Sequence, residues 1–126
     1  MIFGIGTDVL EVRRIEFAYR RFGARFAQRV LMLDELRLFK KTKRPIPFLA
    51  MRFAAKEAVV KALGTGNANG VWVRDTGVSH DSLGRPEIVF SERGLAVCER
   101  VGVGSAHLSL SDQANLVVAI AELERA

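Results

Sequence analysis

Two acidic residues, Asp8 and Glu57, stand where chemistry is easiest to imagine. Glu57 has Arg52, Lys56 and Lys61 around it, and Asp8 follows Gly6 close to an apolar opening run. A hard cation such as Mg2+ binds through one or two carboxylates and completes its octahedron with water and phosphate oxygens. Asp8 and Glu57 suit that task, although nothing in their spacing brings them together. Each also has a plainer reading. Asp8 with Glu11 fits a capping box at a helix start, and Glu57 with Lys61 is an i,i+4 ion pair worth about 0.2–0.5 kcal/mol. The basic residues form two groups. Arg14, Arg21 and Arg25 fall within a narrow arc of a helix that turns about 100° per residue. Such a row can grip a partner's carboxylates bidentately, or simply be a solvated face. Lys43, Arg44, Arg52, Lys56 and Lys61 are dense enough to hold a phosphorylated ligand, or to be a soluble basic loop and helix. His107 shares one strand face with Ser109 and Ser111, bordering a site or serving structure alone.

Several chemistries are unsupported. Gly4 and Gly6 are not followed by a third glycine at position 9, which is Val9, so a dinucleotide fingerprint is missing. There is no phosphate-loop motif, no cysteine–histidine zinc spacing and no convincing serine nucleophile.

The elements that must position these residues can be read from periodicity. Met1 to Ile5 predicts a short strand, with Gly4 and Gly6 marking a tight turn after it. Ile15, Ala18, Tyr19, Phe22 and Phe26 recur at helical spacing, with Gly23 ending or bending that helix. A second helical stretch runs from Leu33 to Lys40. A basic loop follows from Lys40 to Pro47, which two prolines keep from being helix. The most regular helix runs from Phe48 to Leu63 and stops at Gly64-Thr65-Gly66. Val71 to Val73 and Val78 to Asp81 read as extended chain, and Gly84-Arg85-Pro86 as a turn into the strand Glu87 to Phe90. Ser91 caps a helix ending near Gly102 and Gly104. His107 to Ser111 alternates as a strand with one open face, and Leu116 to Ala121 reads as a buried strand. The expected class is α+β: an N-terminal strand and helices followed by a mainly antiparallel sheet, with residues 1–126 as one domain.

Composition agrees with a folded chain. Of 126 residues, 49% are hydrophobic and 26% charged, a globular balance rather than a disordered one. One cysteine, Cys98, cannot close an intramolecular disulfide, so the cytoplasm is the expected location. The N-terminus reads as neither a signal peptide nor a membrane span. A net charge of +5 favours polyanions: nucleic acid, an anionic membrane, a phosphate-rich cofactor or an acidic protein.

Taken in order, the segments resemble the holo-acyl-carrier-protein synthase family of phosphopantetheinyl transferases. The resemblance rests on Gly4-Ile5-Gly6-Thr7-Asp8 with Glu11 and Arg14-Ile15, and on Phe48-Leu49-Ala50-Met51-Arg52-Phe53-Ala54-Ala55-Lys56-Glu57-Ala58. It continues through Lys61-Ala62-Leu63-Gly64-Thr65-Gly66, Gly84-Arg85-Pro86 and His107-Leu108-Ser109-Leu110-Ser111. It implies a 4′-phosphopantetheinyl transferase-like fold and Mg2+-dependent transfer of 4′-phosphopantetheine from coenzyme A to a serine of apo-acyl carrier protein, releasing 3′,5′-ADP for fatty acid biosynthesis. By the same resemblance, Asp8 and Glu57 hold Mg2+ and Lys61 lies near the phosphates. Lys43, Arg44, Arg52, Gly64, Arg85, Pro86 and His107 line or border the nucleotide pocket. The helix with Arg14, Arg21 and Arg25 docks the acidic carrier, and homotrimers share active sites between subunits. For the serine proton, Glu57 acting through a water, Asp34 and Glu35 are alternative acceptors. Asp112 departs from the family pattern, in which many members carry histidine after the second serine of the strand motif. Two rivals remain: a transferase for carrier domains of a modular synthase, and a basic nucleic-acid-binding module. The second is short of a stacking platform, since most of the eight Phe occupy core-like positions.

Overall fold

The computed structural model describes residues 1–65 and 70–126. Gly66, expected to help end the long helix, lies outside the described residues. The order is β1 (Ile2–Glu11), α1 (Val12–Phe22), α2 (Ala24–Val30), α3 (Leu33–Phe39), α4 (Pro45–Leu63), a short 3-10 turn (Val73–Asp75), β2 (Thr76–His80), β3 (Pro86–Phe90), α5 (Glu92–Val101), β4 (Val103–Gln113) and β5 (Leu116–Arg125). This is the expected α+β class. One antiparallel sheet has the order β1-β5-β4, and β2 and β3 form a separate hairpin.

Helix α4 is the centre of the molecule. Leu49, Ala50, Ala54, Ala58, Val59 and Ala62 are buried on it, packed with Leu10 of β1 and with Val117, Ala119, Ala121 and Leu123 of β5. A helix buried on so many sides must be rich in small residues to lie close to a sheet, and α4 is. Gly4 and Gly6 complete the fit. They do not turn the chain; they stay in β1, paired with Leu123 and Ala121. A Cβ on Gly4 would lie 2.1 Å from the Ala62 carbonyl oxygen, and one on Gly6 would lie 2.0 Å from that of Ala58. The two glycines are therefore the floor on which α4 rests.

That contact corrects the reading of Asp8. The strand runs on past it, Asp8 pairs with Ala119, and the helix starts only after Glu11. Asp8 is not a cap, and no side chain caps α1. The prolines are corrected too. Helix α4 begins at Pro45, so Pro45 and Pro47 lie in its first turn, where backbone N–H groups have no helical acceptor to lose. Val71 and Trp72 are irregular and lead into the 3-10 turn rather than a strand. Gly64 ends α4 in the left-handed region with φ 67°, and Ser91 caps α5 by accepting from the Gly94 N–H at 3.0 Å. Strand β5 is central in its sheet yet buried on one face only: Ile120 on the other face is 45% exposed.

Candidate active site

Asp8 and Glu57 do meet. Asp8 points from β1 toward the last turns of α4, which bring Glu57 and Lys61 over it because they stand one helical turn apart. Lys61 Nζ lies 3.2 Å from Asp8 Oδ1 and donates to the Thr7 carbonyl at 3.0 Å. Asp8, Arg14, Phe26, Phe53, Glu57 and Lys61 line a pocket of about 410 Å3. Burial pushes the Glu57 carboxyl above the usual glutamate range, the negative charge of Asp8 pushes it further, and Lys61 opposes both. Two oxygen-donor carboxylates thus repel one another with a single ammonium beside them. That donor set fits a hard divalent cation.

The cations divide. Arg14 lines the pocket from α1. Arg21 is on α1, but Arg25 follows the break at Gly23 (φ 58°) and belongs to α2, so the three do not form one continuous helical row. Arg25 instead lines an adjoining groove of about 740 Å3 with Phe22, Arg29, Trp72 and Arg74; Phe26 and Phe53 are shared with the pocket. Lys43 and Arg44 are exposed at the start of α4, and Arg44 is its N-cap. At about 1.5 Å of rise per residue, that start is roughly 20 Å from Glu57. Arg85 and Pro86 are at the turn between β2 and β3, where the Arg85 N–H donates to Asp81 at 2.9 Å. Gly64 caps α4 just beyond Lys61. None of Lys43, Arg44, Arg52, Gly64, Arg85, Pro86 and His107 lines the Asp8–Glu57 pocket of this chain.

Arg52 and Lys56 face inward. Both are buried against Glu35 of α3, which is only 3% exposed. Lys56 pairs with Glu35 Oε1 and donates to the Val30 carbonyl at 2.7 Å. Arg52 Nε is 3.3 Å from Glu35 Oε2 without the alignment of a hydrogen bond, and its guanidinium lies 3.8 Å from the centroid of the Phe48 ring. Glu35 also accepts from the N–H groups of Met32 and Val78. Burial lowers the proton affinity of Lys56 and Arg52, and the Glu35 charge opposes that shift. Glu35 is thus enclosed by structural partners, which corrects its place among the proton acceptors. Asp34 is exposed and paired with Arg37 at 2.9 Å. The triad escaped the sequence reading, though a signal existed. Two cations spaced i,i+4 on an alanine-rich helix are both buried only if an acid meets them.

His107 is on the open face of β4, opposite Glu122. It groups with Glu122 and Glu124, one potential ligand atom from each lying within 4.8 Å of the others. A hydrogen bond between the two glutamates raises Glu122 and lowers Glu124.

A sequence model of the 4′-phosphopantetheinyl transferase superfamily matches residues 4–121. The chain belongs to that superfamily. Within it, the chain is 46% identical to a holo-[acyl-carrier-protein] synthase of Vibrio cholerae, the match covering 99% of both chains. The crystal structure of the Neisseria meningitidis holo-[acyl-carrier-protein] synthase superposes with a TM-score of 0.94 at 40% identity, covering 99% of this chain and 100% of that one. The Bacillus anthracis synthase, solved in complex with CoA (3′,5′-ADP), gives 0.80 at 36% identity and covers 100% and 99%. The resemblance read from the motifs is thereby borne out. In this phosphopantetheinyl transferase family member no helix among the described residues is long and apolar enough to cross a membrane.

Proposed function

We propose that this chain transfers 4′-phosphopantetheine from coenzyme A to a serine of an acidic apo-acyl carrier protein, with Mg2+, releasing 3′,5′-ADP. The observation that carries this reading is the convergence of Asp8, Glu57 and Lys61 from two elements in one pocket beside a basic helix. The relatives' names and the coenzyme A complex of the Bacillus anthracis synthase support the substrate pair.

The reaction is phosphoryl transfer. The serine Oγ bonds to the β-phosphorus of coenzyme A, the bond from that phosphorus to the bridging oxygen breaks, and 3′,5′-ADP leaves with the electron pair. Such chemistry is accelerated mainly by positioning and charge neutralisation. Asp8 and Glu57 would hold Mg2+, which when bound would supply charge neutralisation for the phosphates. Lys61, held by the Thr7 carbonyl and Asp8, adds a positive charge that the leaving phosphate can use. The serine proton goes to Glu57 through a water, or to Asp34, and Asp34→Asn separates the two.

The nucleotide-binding residues Lys43, Arg44, Gly64, Arg85, Pro86 and His107 belong in this reading to a site shared between subunits of a homotrimer, whereas Arg52 is committed to Glu35 inside the chain. The open face of the β1-β5-β4 sheet supports it: Ile5 is 58%, Val9 65% and Ile120 45% exposed. An apolar sheet face of this kind is characteristic of an interaction surface.

Intact-protein mass spectrometry tests the activity. An apo carrier incubated with coenzyme A, Mg2+ and the enzyme should gain one phosphopantetheine. EDTA or Glu57→Gln should abolish the gain. No gain on any of several carriers would overturn the reading.

A further inference from the structure

Building on the carrier-docking reading of α1, we propose that Phe17 is the specificity residue of that surface: an apolar anchor selecting acidic carrier helices that place an aliphatic side chain among their carboxylates. Phe17 is 67% exposed, while Ile15 on the same helix is buried in the core. Its four nearest neighbours on the helix surface, at three- and four-residue spacing, are all arginines: Arg13, Arg14, Arg20 and Arg21. Two shallow depressions meet at its ring, one lined by Arg13 and Arg14, the other by Arg13, Glu16, Arg20 and Arg21.

The arginines are not equivalent. Arg13 is paired with Glu11 at 2.7 Å and Arg20 with Glu16 at 2.8 Å. Arg14 and Arg21 form no ion pair with an acidic residue among the described residues, and Arg21 rests against the Phe22 ring at 5.4 Å. The uncompensated charge thus lies on the side of Phe17 that leads to the Glu57 pocket, which Arg14 also lines. An acidic helix laid across α1 would offer its carboxylates to Arg14 and Arg21 and have a phenyl ring between them to cover. Charge steers and orients such an encounter, whereas the buried anchor slows its dissociation.

Steady-state kinetics on an apo carrier test this, with Phe17→Ala, Phe17→Ser and Arg21→Ala as variants of the full chain. Both Phe17 variants should raise KM for the carrier about tenfold, the cost of losing one interface anchor. The kcat, the KM for coenzyme A and the Tm should stay unchanged. High salt should erase much of the Arg21→Ala effect and leave the Phe17 effect standing. An unchanged carrier KM in Phe17→Ala, with a raised one in Arg21→Ala, overturns the anchor while the docking surface stands. A smaller sedimentation coefficient in Phe17→Ala assigns the ring to a subunit contact and also overturns it. If the wild-type chain modifies no carrier, the transferase reading itself fails and the anchor falls with it.

Discussion

Glu57 holds its proton more tightly than an ordinary glutamate, because burial and the Asp8 charge both disfavour its ionised form. A raised carboxylate pKa means that the folded chain binds the proton better than the unfolded one. Glu57 therefore contributes stability that is fully present below its ordinary value of 4.5 and is lost as pH rises through the folded value. Without Mg2+, Glu57→Gln should accordingly raise Tm at pH 7. The expected gain is roughly 2–4 °C, the shift from about 0.5–1 kcal/mol after allowing for solvent screening. The gain should vanish by about pH 4, as thermal melts across that range will show. Added Mg2+ should raise the wild-type Tm and leave that of the variant unmoved. Glu35 is the opposite case, a carboxylate that two buried cations require. Glu35→Ala strands Lys56 and Arg52 without a counter-charge, at a cost of about 3–5 kcal/mol in urea unfolding. Asp8 and Glu57 were legible in the sequence as residue types suited to a hard cation. Their meeting was not, because it depends on where α4 crosses β1.

That crossing is an element-scale fact, and Gly6 controls it. A Cβ there would meet the Ala58 carbonyl oxygen at 2.0 Å and the Ala62 nitrogen at 2.6 Å, so Gly6→Ala has to lift α4 from the strand. Backbone atoms cannot swing aside as a flexible side chain can. The expected cost is about 2–3 kcal/mol of stability, in the upper range for overpacking. Activity should fall further than stability, on the order of 100-fold in kcat, because Glu57 and Lys61 move with the helix while Asp8 stays on the strand. A full kcat in a destabilised Gly6→Ala would show that the crossing does not set the site. Sequence patterns conveyed the helices and most strands well, since α3, α5 and the core of α4 follow plain periodicity and capping. They misread β1, because glycine in a strand looks like a turn until the element packed on it is known. The prolines of α4 misled for a related reason. Proline forbids the interior of a helix and suits its first turn, and only the fold says which applies.

At the scale of the whole molecule, the Asp8–Glu57 pocket and the exposed cations at the start of α4 are separate places on one chain. Arg44 is its N-cap and Glu57 lies more than three turns along, roughly 20 Å away. The β1-β5-β4 sheet meanwhile leaves Ile5, Val9 and Ile120 uncovered. Read as a continuous apolar run, β5 looked buried on both faces. In this chain one of those faces is open, and the proposed trimer is what closes it. Symmetric association would then carry the cations of one subunit to the carboxylates of the next. Two measurements follow. Ile120→Glu should sediment as a 13.9 kDa monomer and lose transferase activity, although its Asp8, Glu57 and Lys61 are untouched. The sharper test mixes two variants, Glu57→Gln and Arg44→Ala, each expected to have little activity alone. If each site draws Glu57 from one subunit and Arg44 from its neighbour, equal co-assembly leaves half of the positions intact on each side. About one quarter of the sites are then fully wild type, so about one quarter of the activity should return. If both residues serve one site within one chain, no mixed assembly contains an intact site, and the activity stays at the level of the separate variants.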